Sequence, residues 1–351
     1  MSIFNRWCIA ATLVAAATVA NAMPISSVDV RLDTATPVLR GDVDVSVTVT
    51  VTNTQRHPVQ LLKWQLPLEE SEGALFRIKR EDGSVVRYEG AMVKRTAPQA
   101  QDHVRLDPGA SINYTVELSA DYDLSRNGRY AIEYAGRGVA ADKVKALWSE
   151  PLYLWLEGRS AKATTARQAA AAAPGAAPSA GGTAYSSCSA TQQSALVAAT
   201  DQAVTYASVA VNYLQGNGSA TPRYTKWFGS YSSSGWATAR AHFAAVHSAF
   251  TTQNLAYDCK CKKQNTYAYV YANQPYKIYL CGAFWAAPLA GTDSRGGTLI
   301  HEMTHFTVVA GTDDYAYGQT AAANLAATDS AKALDNADSH EYFAENTPVS
   351  P

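Results

Sequence analysis

The pentapeptide His301-Glu302-Met303-Thr304-His305 constrains this chain more than any other stretch. Residues four apart on a helix share a face, so two imidazoles at that spacing reach one metal ion only where the segment is helical. Glu302 then lies beside the ion, where a carboxylate can take a proton from water. The surrounding residues are Leu299, Ile300, Met303, Phe306, Val308 and Val309. Two histidines and a glutamate are costly to bury in so apolar a helix without a partner, which weighs against a merely solvated face.

A metal site that keeps one position for water needs three protein ligands. A histidine six residues beyond His305 would supply the third, but Gly311 stands there. A glutamate well downstream is another layout, and Glu341 or Glu345 would have to serve. The turn Ala310-Gly311-Thr312 instead predicts that the chain leaves the helix and doubles back, bringing Asp313 or Asp314 to the metal.

At 351 residues, with 47% hydrophobic side chains, the chain is long enough for two domains with real cores. A formal charge of -1 points to neither nucleic acid nor an anionic membrane as partner. Residues 1–22 read as a secretory signal: Arg6, the apolar run Ile9 to Val19, then Ala20-Asn21-Ala22 as the cleavage site. The run is shorter than the roughly 20 residues that span a bilayer, so no membrane span is expected in the exported form. Cys8 falls in that signal. Cys188, Cys259, Cys261 and Cys281 remain, an even number that reads as two disulfides, with three pairings open. Cys259 and Cys261 are too close to pair comfortably. The four lack the paired spacing of a structural zinc site.

Residues 23–158 read as an all-β, sandwich-like domain. Val43, Val45, Val47, Val49 and Val51 alternate with polar residues, the period of a half-buried strand, and further short strand-like runs follow between turns. Residues 159–182 are mostly Ala, Thr, Ser, Gly and Pro and predict a flexible linker. From 183 to 351, helices are expected over Thr191 to Leu214, Trp236 to Gln253, Ser294 to Val309 and Gln319 to Asn346, the last broken near Asp335-Asn336. Strands are expected over Tyr267 to Tyr271 and Tyr276 to Leu280, which makes this an α+β domain.

His301 to His305 followed by Gly311-Thr312-Asp313-Asp314-Tyr315-Ala316-Tyr317-Gly318 resembles the aspzincin family of secreted metalloendopeptidases. The signature of that family is H-E-x-x-H followed by G-T-x-D-x-x-Y-G. The resemblance runs from about Tyr185 to Asn346 and says little about residues 23–158. It implies a zincin catalytic domain with one zinc ion per chain, held by His301, His305 and Asp314. It makes Glu302 the general base and Tyr317 the hydroxyl that stabilises the tetrahedral intermediate. It also implies the pairings Cys188–Cys259 and Cys261–Cys281. Asp338 and Glu341, three apart on one predicted helix face, match the acidic pair with which the lysine-specific members hold the lysine after the scissile bond. Protein and peptide substrates cut on the N-terminal side of lysine follow from that likeness.

An exported protease must be kept harmless until it is outside. The β domain therefore reads as a propeptide, an intramolecular inhibitor or folding chaperone, removed in the linker, for example at Ala161-Lys162. Between the signal and Cys188 there is no cysteine, which excludes a cysteine latch on the metal. A basic residue in the acidic pocket is the alternative, and Lys94, in the turn-rich stretch Gly90 to Gln101, is a candidate. The competing readings are a permanent binding module for the β domain and, for the whole chain, a non-catalytic secreted binding protein or adhesin with a structural metal.

Overall fold

Alternation of valines builds the first core. The computed structural model describes residues 28–68, 73–136, 147–160 and 182–350. The expected signal and nearly all of the expected linker lie outside the described residues. The strand Ser46–Asn53 places Val47, Val49 and Val51 on one face, each essentially inaccessible to solvent. Val43, expected on that face, precedes the strand and is exposed. This strand lies between Val28–Asp33 and Ser111–Glu117, antiparallel to both. A second sheet runs in the order Val38–Arg40, Leu152–Glu157, Gly128–Gly136, Phe76–Arg80 and Val85–Val86. Ile78, Tyr130, Ile132 and Leu154 of that sheet share one apolar cluster with the three valines.

The C-terminal part is α+β. A five-stranded sheet has the order Thr183–Ser186, Leu255–Asp258, Lys277–Leu280, Thr266–Tyr271 and Ala91–Arg95. The first two pairings are parallel and the last two antiparallel. Its last strand is thus contributed by the N-terminal part of the chain. The stretch expected to be turn-rich is extended instead, with Lys94 opposite Ala268 and Val93 opposite Tyr269. Five consecutive buried residues, one of them a lysine, carry no alternation from which a strand would be read. Partnership with Thr266–Tyr271 decides their conformation.

Helices Ala190–Gln215 and Ser233–Thr252 pack on each other through small residues. Ala199, Ala203, Ala207 and Ala210 recur at three- and four-residue intervals and are fully buried, so the two backbones approach closely. Helix Arg295–His305 lies against Ala190–Gln215 on one side and Ala337–Glu345 on the other. The helical segment from Gln319 breaks at Asp335-Asn336, as expected, and also at Asp329, giving Gln319–Thr328, Ser330–Leu334 and Ala337–Glu345. Disulfides join Cys188 to Cys259 and Cys261 to Cys281. They tie the first helix and the Lys277–Leu280 strand to the loop after Leu255–Asp258, and each closure of this kind contributes on the order of 3 kcal/mol. Among the described residues no helix is long and apolar enough to cross a membrane.

Candidate active site

Capping fixes where the motif helix begins. Ser294 accepts a hydrogen bond from Gly297 N at 2.9 Å through its Oγ. Glu345, on the neighbouring helix, accepts from Ser294 N at 2.8 Å and from Ser294 Oγ at 2.7 Å. Gly297 is required by this approach, since a Cβ there would lie 2.1 Å from Glu345 Oε1. Burial, then the charge of Glu341, pushes the Glu345 carboxyl up to about 8 despite the Ser294 donors.

The helix ends at His305, and Gly311, with φ of +65°, turns the chain back. Thr312 N donates to Thr304 O at 3.1 Å, and the hydroxyl of Thr312 donates to that of Thr304 at 2.8 Å. The returning loop is tied to the N-terminus of Ala337–Glu345 by Asn336. Its side-chain oxygen accepts from Tyr315 N at 2.8 Å and Ala316 N at 2.9 Å. Asp314 is thereby carried to the two histidines.

His301 Nε2 and His305 Nε2 are 3.1 Å apart, and Asp314 Oδ1 lies 3.3 and 3.4 Å from them. A tetrahedral ion with bonds of about 2.0–2.1 Å holds its ligand atoms about 3.3–3.4 Å apart, so the three atoms fit one ion of zinc's size. The far ring nitrogens support the same tautomers. His305 Nδ1 faces Thr312 O at 2.8 Å, and His301 Nδ1 lies 2.7 Å from Asp338 Oδ1. Protons there leave both Nε2 lone pairs directed at the shared point. Both carboxylate oxygens of Glu302 are buried without a hydrogen-bond partner in the protein. A buried carboxylate left without a protein partner points to a functional group rather than to packing. Burial pushes the Glu302 carboxyl up to about 7, with the two histidines opposing. Tyr317, on the returning loop, keeps its proton: burial and then Asp314 hold its phenol well above its usual range.

Asp338 and Glu341 lie on one face of Ala337–Glu345, and the pocket they line holds Lys94. Its ammonium is 2.5 Å from Glu341 Oε2, 3.4 Å from Asp338 Oδ1 and 3.6 Å from Asp293 Oδ1. The rings of Tyr267 and Tyr342 flank it at 5.3 and 5.6 Å. Burial alone would lower the Lys94 pKa. Asp338, Glu341 and Asp293 reverse this and hold it well above the usual range, so the amine stays charged. On the other side, Trp64, Gly73 and Leu75 of the β domain, with Met92, close over Asp314 and Tyr317. They leave a void of about 20 Å³, room for about one water.

Asp293, Thr312 and Asn336 were not singled out from the sequence. Thr312 lies within the G-T signature and was legible in retrospect. Asp293 and Asn336 carry no local signal, because their partners are 49 and about 20 residues away.

Two imidazoles one helical turn apart, a carboxylate returned by a tight turn and an unpaired buried glutamate define the site of a metal-dependent hydrolase. The profile described as lysine-specific metallo-endopeptidase, of the aspzincins, matches residues 213–345. An extracellular protease of Aeromonas hydrophila is 45% identical over 325 residues, covering 90% of this chain and 92% of its own. A peptidyl-Lys metalloendopeptidase of Grifola frondosa is 39% identical over 314 residues, covering 85% and 87%. One from Pleurotus ostreatus is 53% identical over 162 residues, which are 46% of this chain and 96% of its own. The chain belongs to the aspzincin family; it is a metalloendopeptidase.

Proposed function

We propose that this chain is the precursor of a secreted zinc endopeptidase that cuts on the N-terminal side of lysine and is held inactive by its own N-terminal β domain. The observation that carries the reading is Lys94. A lysine from an extended strand, seated in the acidic pocket beside the metal ligands, is the group such an enzyme would have to recognise. The strand Ala91–Arg95 pairs antiparallel with the edge of the sheet, as an extended substrate would. In this reading the β domain is a sandwich-like propeptide that blocks the cleft with a mimic of the substrate. The size of the Pleurotus relative supports it, since 162 residues of this chain cover nearly all of that peptidase. The name of the Aeromonas relative supports export, with residues 1–22 as the signal.

His301, His305 and Asp314 would hold one zinc ion, which would polarise the peptide carbonyl and make water more acidic. Glu302, beside the point shared by the three ligands, is placed to take a proton from the attacking water and deliver it to the leaving amine. The protonated phenol of Tyr317 donates to the oxygen that becomes negative, a donor of the kind worth a few kcal/mol. Asp338 and Glu341 hold the lysine ammonium and so fix which peptide bond lies over Glu302. The alternative of a structural metal in a binding protein leaves the unpaired Glu302 without a purpose.

Two measurements test this. Cleavage mapping by mass spectrometry should place lysine immediately after nearly every cut, and cuts without that bias would refute the lysine reading. Lys94→Met in the full-length secreted chain should raise activity before any processing. It leaves two buried carboxylates unpaired and loosens the strand. Unchanged latency would remove Lys94 from the inhibitory contact.

A further inference from the structure

Three carboxylates surround the Lys94 ammonium, and only two of them come from Ala337–Glu345. The third, Asp293, belongs to the loop that precedes the motif helix. Its backbone is held at φ of +51°, a region that few residues other than glycine adopt. The Tyr342 hydroxyl donates to its Oδ1 at 2.6 Å, and its own N–H faces Glu345 Oε2 at 3.2 Å. Its side chain remains 39% exposed, whereas those of Asp338 and Glu341 are 1% and 0% exposed. A strained, hydroxyl-anchored aspartate at the mouth of a pocket is not required by the metal ligands, none of which it touches.

We infer that Asp293 is a specificity-determining residue, the outer carboxylate of a three-carboxylate cradle that selects a lysine ammonium over an arginine guanidinium after the scissile bond. The inference rests on the reading that this pocket takes the substrate's lysine. An ammonium presents three N–H donors from a single atom. Glu341 and Asp338 offer oxygens at 2.5 and 3.4 Å from that atom, and Asp293 adds a third negative charge at 3.6 Å, so all three converge on one point. A guanidinium is planar and its five donors lie in a fixed fork. It cannot direct them at three carboxylates that converge on one point. The rings of Tyr267 and Tyr342 lie 5.3 and 5.6 Å from the ammonium and add cation–π attraction to it. Asp293 also meets solvent, so its charge attracts an incoming cation before the buried pair is reached.

The test uses the active peptidase obtained from the full-length secreted chain. Its substrates are paired peptides that differ only in Lys or Arg after the cleaved bond. The wild-type enzyme should strongly favour the lysine peptide. Asp293→Asn should lower kcat/KM on that peptide about tenfold, mostly through KM, with kcat nearly unchanged, and should narrow the Lys/Arg ratio. Zinc content should not move. Tyr342→Phe, which removes the anchor of the carboxylate, should narrow the ratio in the same direction by less, and carries the test if D293N is not secreted. A wild type without lysine preference would refute the substrate reading and this inference together. A wild type that prefers lysine, with variants whose Lys/Arg ratio is unaltered, would overturn the role of Asp293 alone.

Discussion

Asp338 is the residue on which most of the site converges. Its Oδ1 lies 2.7 Å from His301 Nδ1 and 3.4 Å from the Lys94 ammonium, and its Oδ2 accepts from Gly318 N at 2.6 Å. In the proposed reading, one carboxylate therefore orients a metal ligand, anchors the end of the loop that carries Asp314 and Tyr317, and helps to bind the substrate lysine. Partners of metal-bound imidazoles typically contribute 10–100-fold in metal affinity. Asp338→Asn should thus release zinc to a chelator about 10–100-fold more readily as well as weaken cleavage before lysine, whereas Glu341→Ala should lower activity on Xaa-Lys bonds with metal retention near wild type. Competition with a zinc indicator separates the two; equal metal retention by both variants would leave Asp338 with the pocket alone. Glu302→Gln should keep the metal and lose at least about 10²–10⁴-fold in kcat, measured with atomic absorption beside peptide cleavage. Its carboxylate has no other partner that the change would disturb.

Elements set these residues in place through contacts that are remote in sequence. The start of the motif helix depends on Glu345 reaching over Gly297 to Ser294. Gly297→Ala should displace that carboxylate and lower stability by about 1–3 kcal/mol, read by denaturant unfolding, and it should disturb Asp293, whose N–H faces the same group. The helices and the valine strand were legible because periodicity is a property of neighbouring residues. The HExxH helix and the Gly311 turn were legible for the same reason. Strand Ala91–Arg95 was not, because both its faces are buried and its lysine is tolerated only by carboxylates about 200 or more residues downstream. The break after Thr328, like the extended form of Ala91–Arg95, is set by packing that no local window contains.

At the scale of the whole molecule, the N-terminal β part and the catalytic half share one sheet through Ala91–Arg95, so the proposed latency would be linked to folding. The catalytic half also contains a second imidazole pair, half-buried His242 and fully buried His340, with Nδ1 and Nε2 3.0 Å apart. Burial, and then His242, pushes His340 down to about 3 from an ordinary 6.5. Above pH 6.5 neither folded nor unfolded chain protonates this ring, so its contribution to stability is complete. As pH falls from 6.5 towards 3 the unfolded chain binds a proton that the folded chain refuses, and stability declines by up to roughly 5 kcal/mol. Unfolding free energies measured from pH 7 down to 4 should show this acid limb, and His340→Gln should flatten it; an identical slope in the variant would assign the limb to other groups. The sequence by itself determined the chemistry: two histidines at helical spacing, a glutamate between them and a carboxylate beyond a glycine turn are all fixed within eighteen residues, Helix-local geometry and turn propensity needing no distant partner. Only the tertiary structure decided what fills the cleft and which carboxylates face it. Charge complementarity between Lys94 and Asp293, Asp338 and Glu341 exists only once remote stretches of chain are packed against one another and water is excluded from Lys94, Asp338 and Glu341.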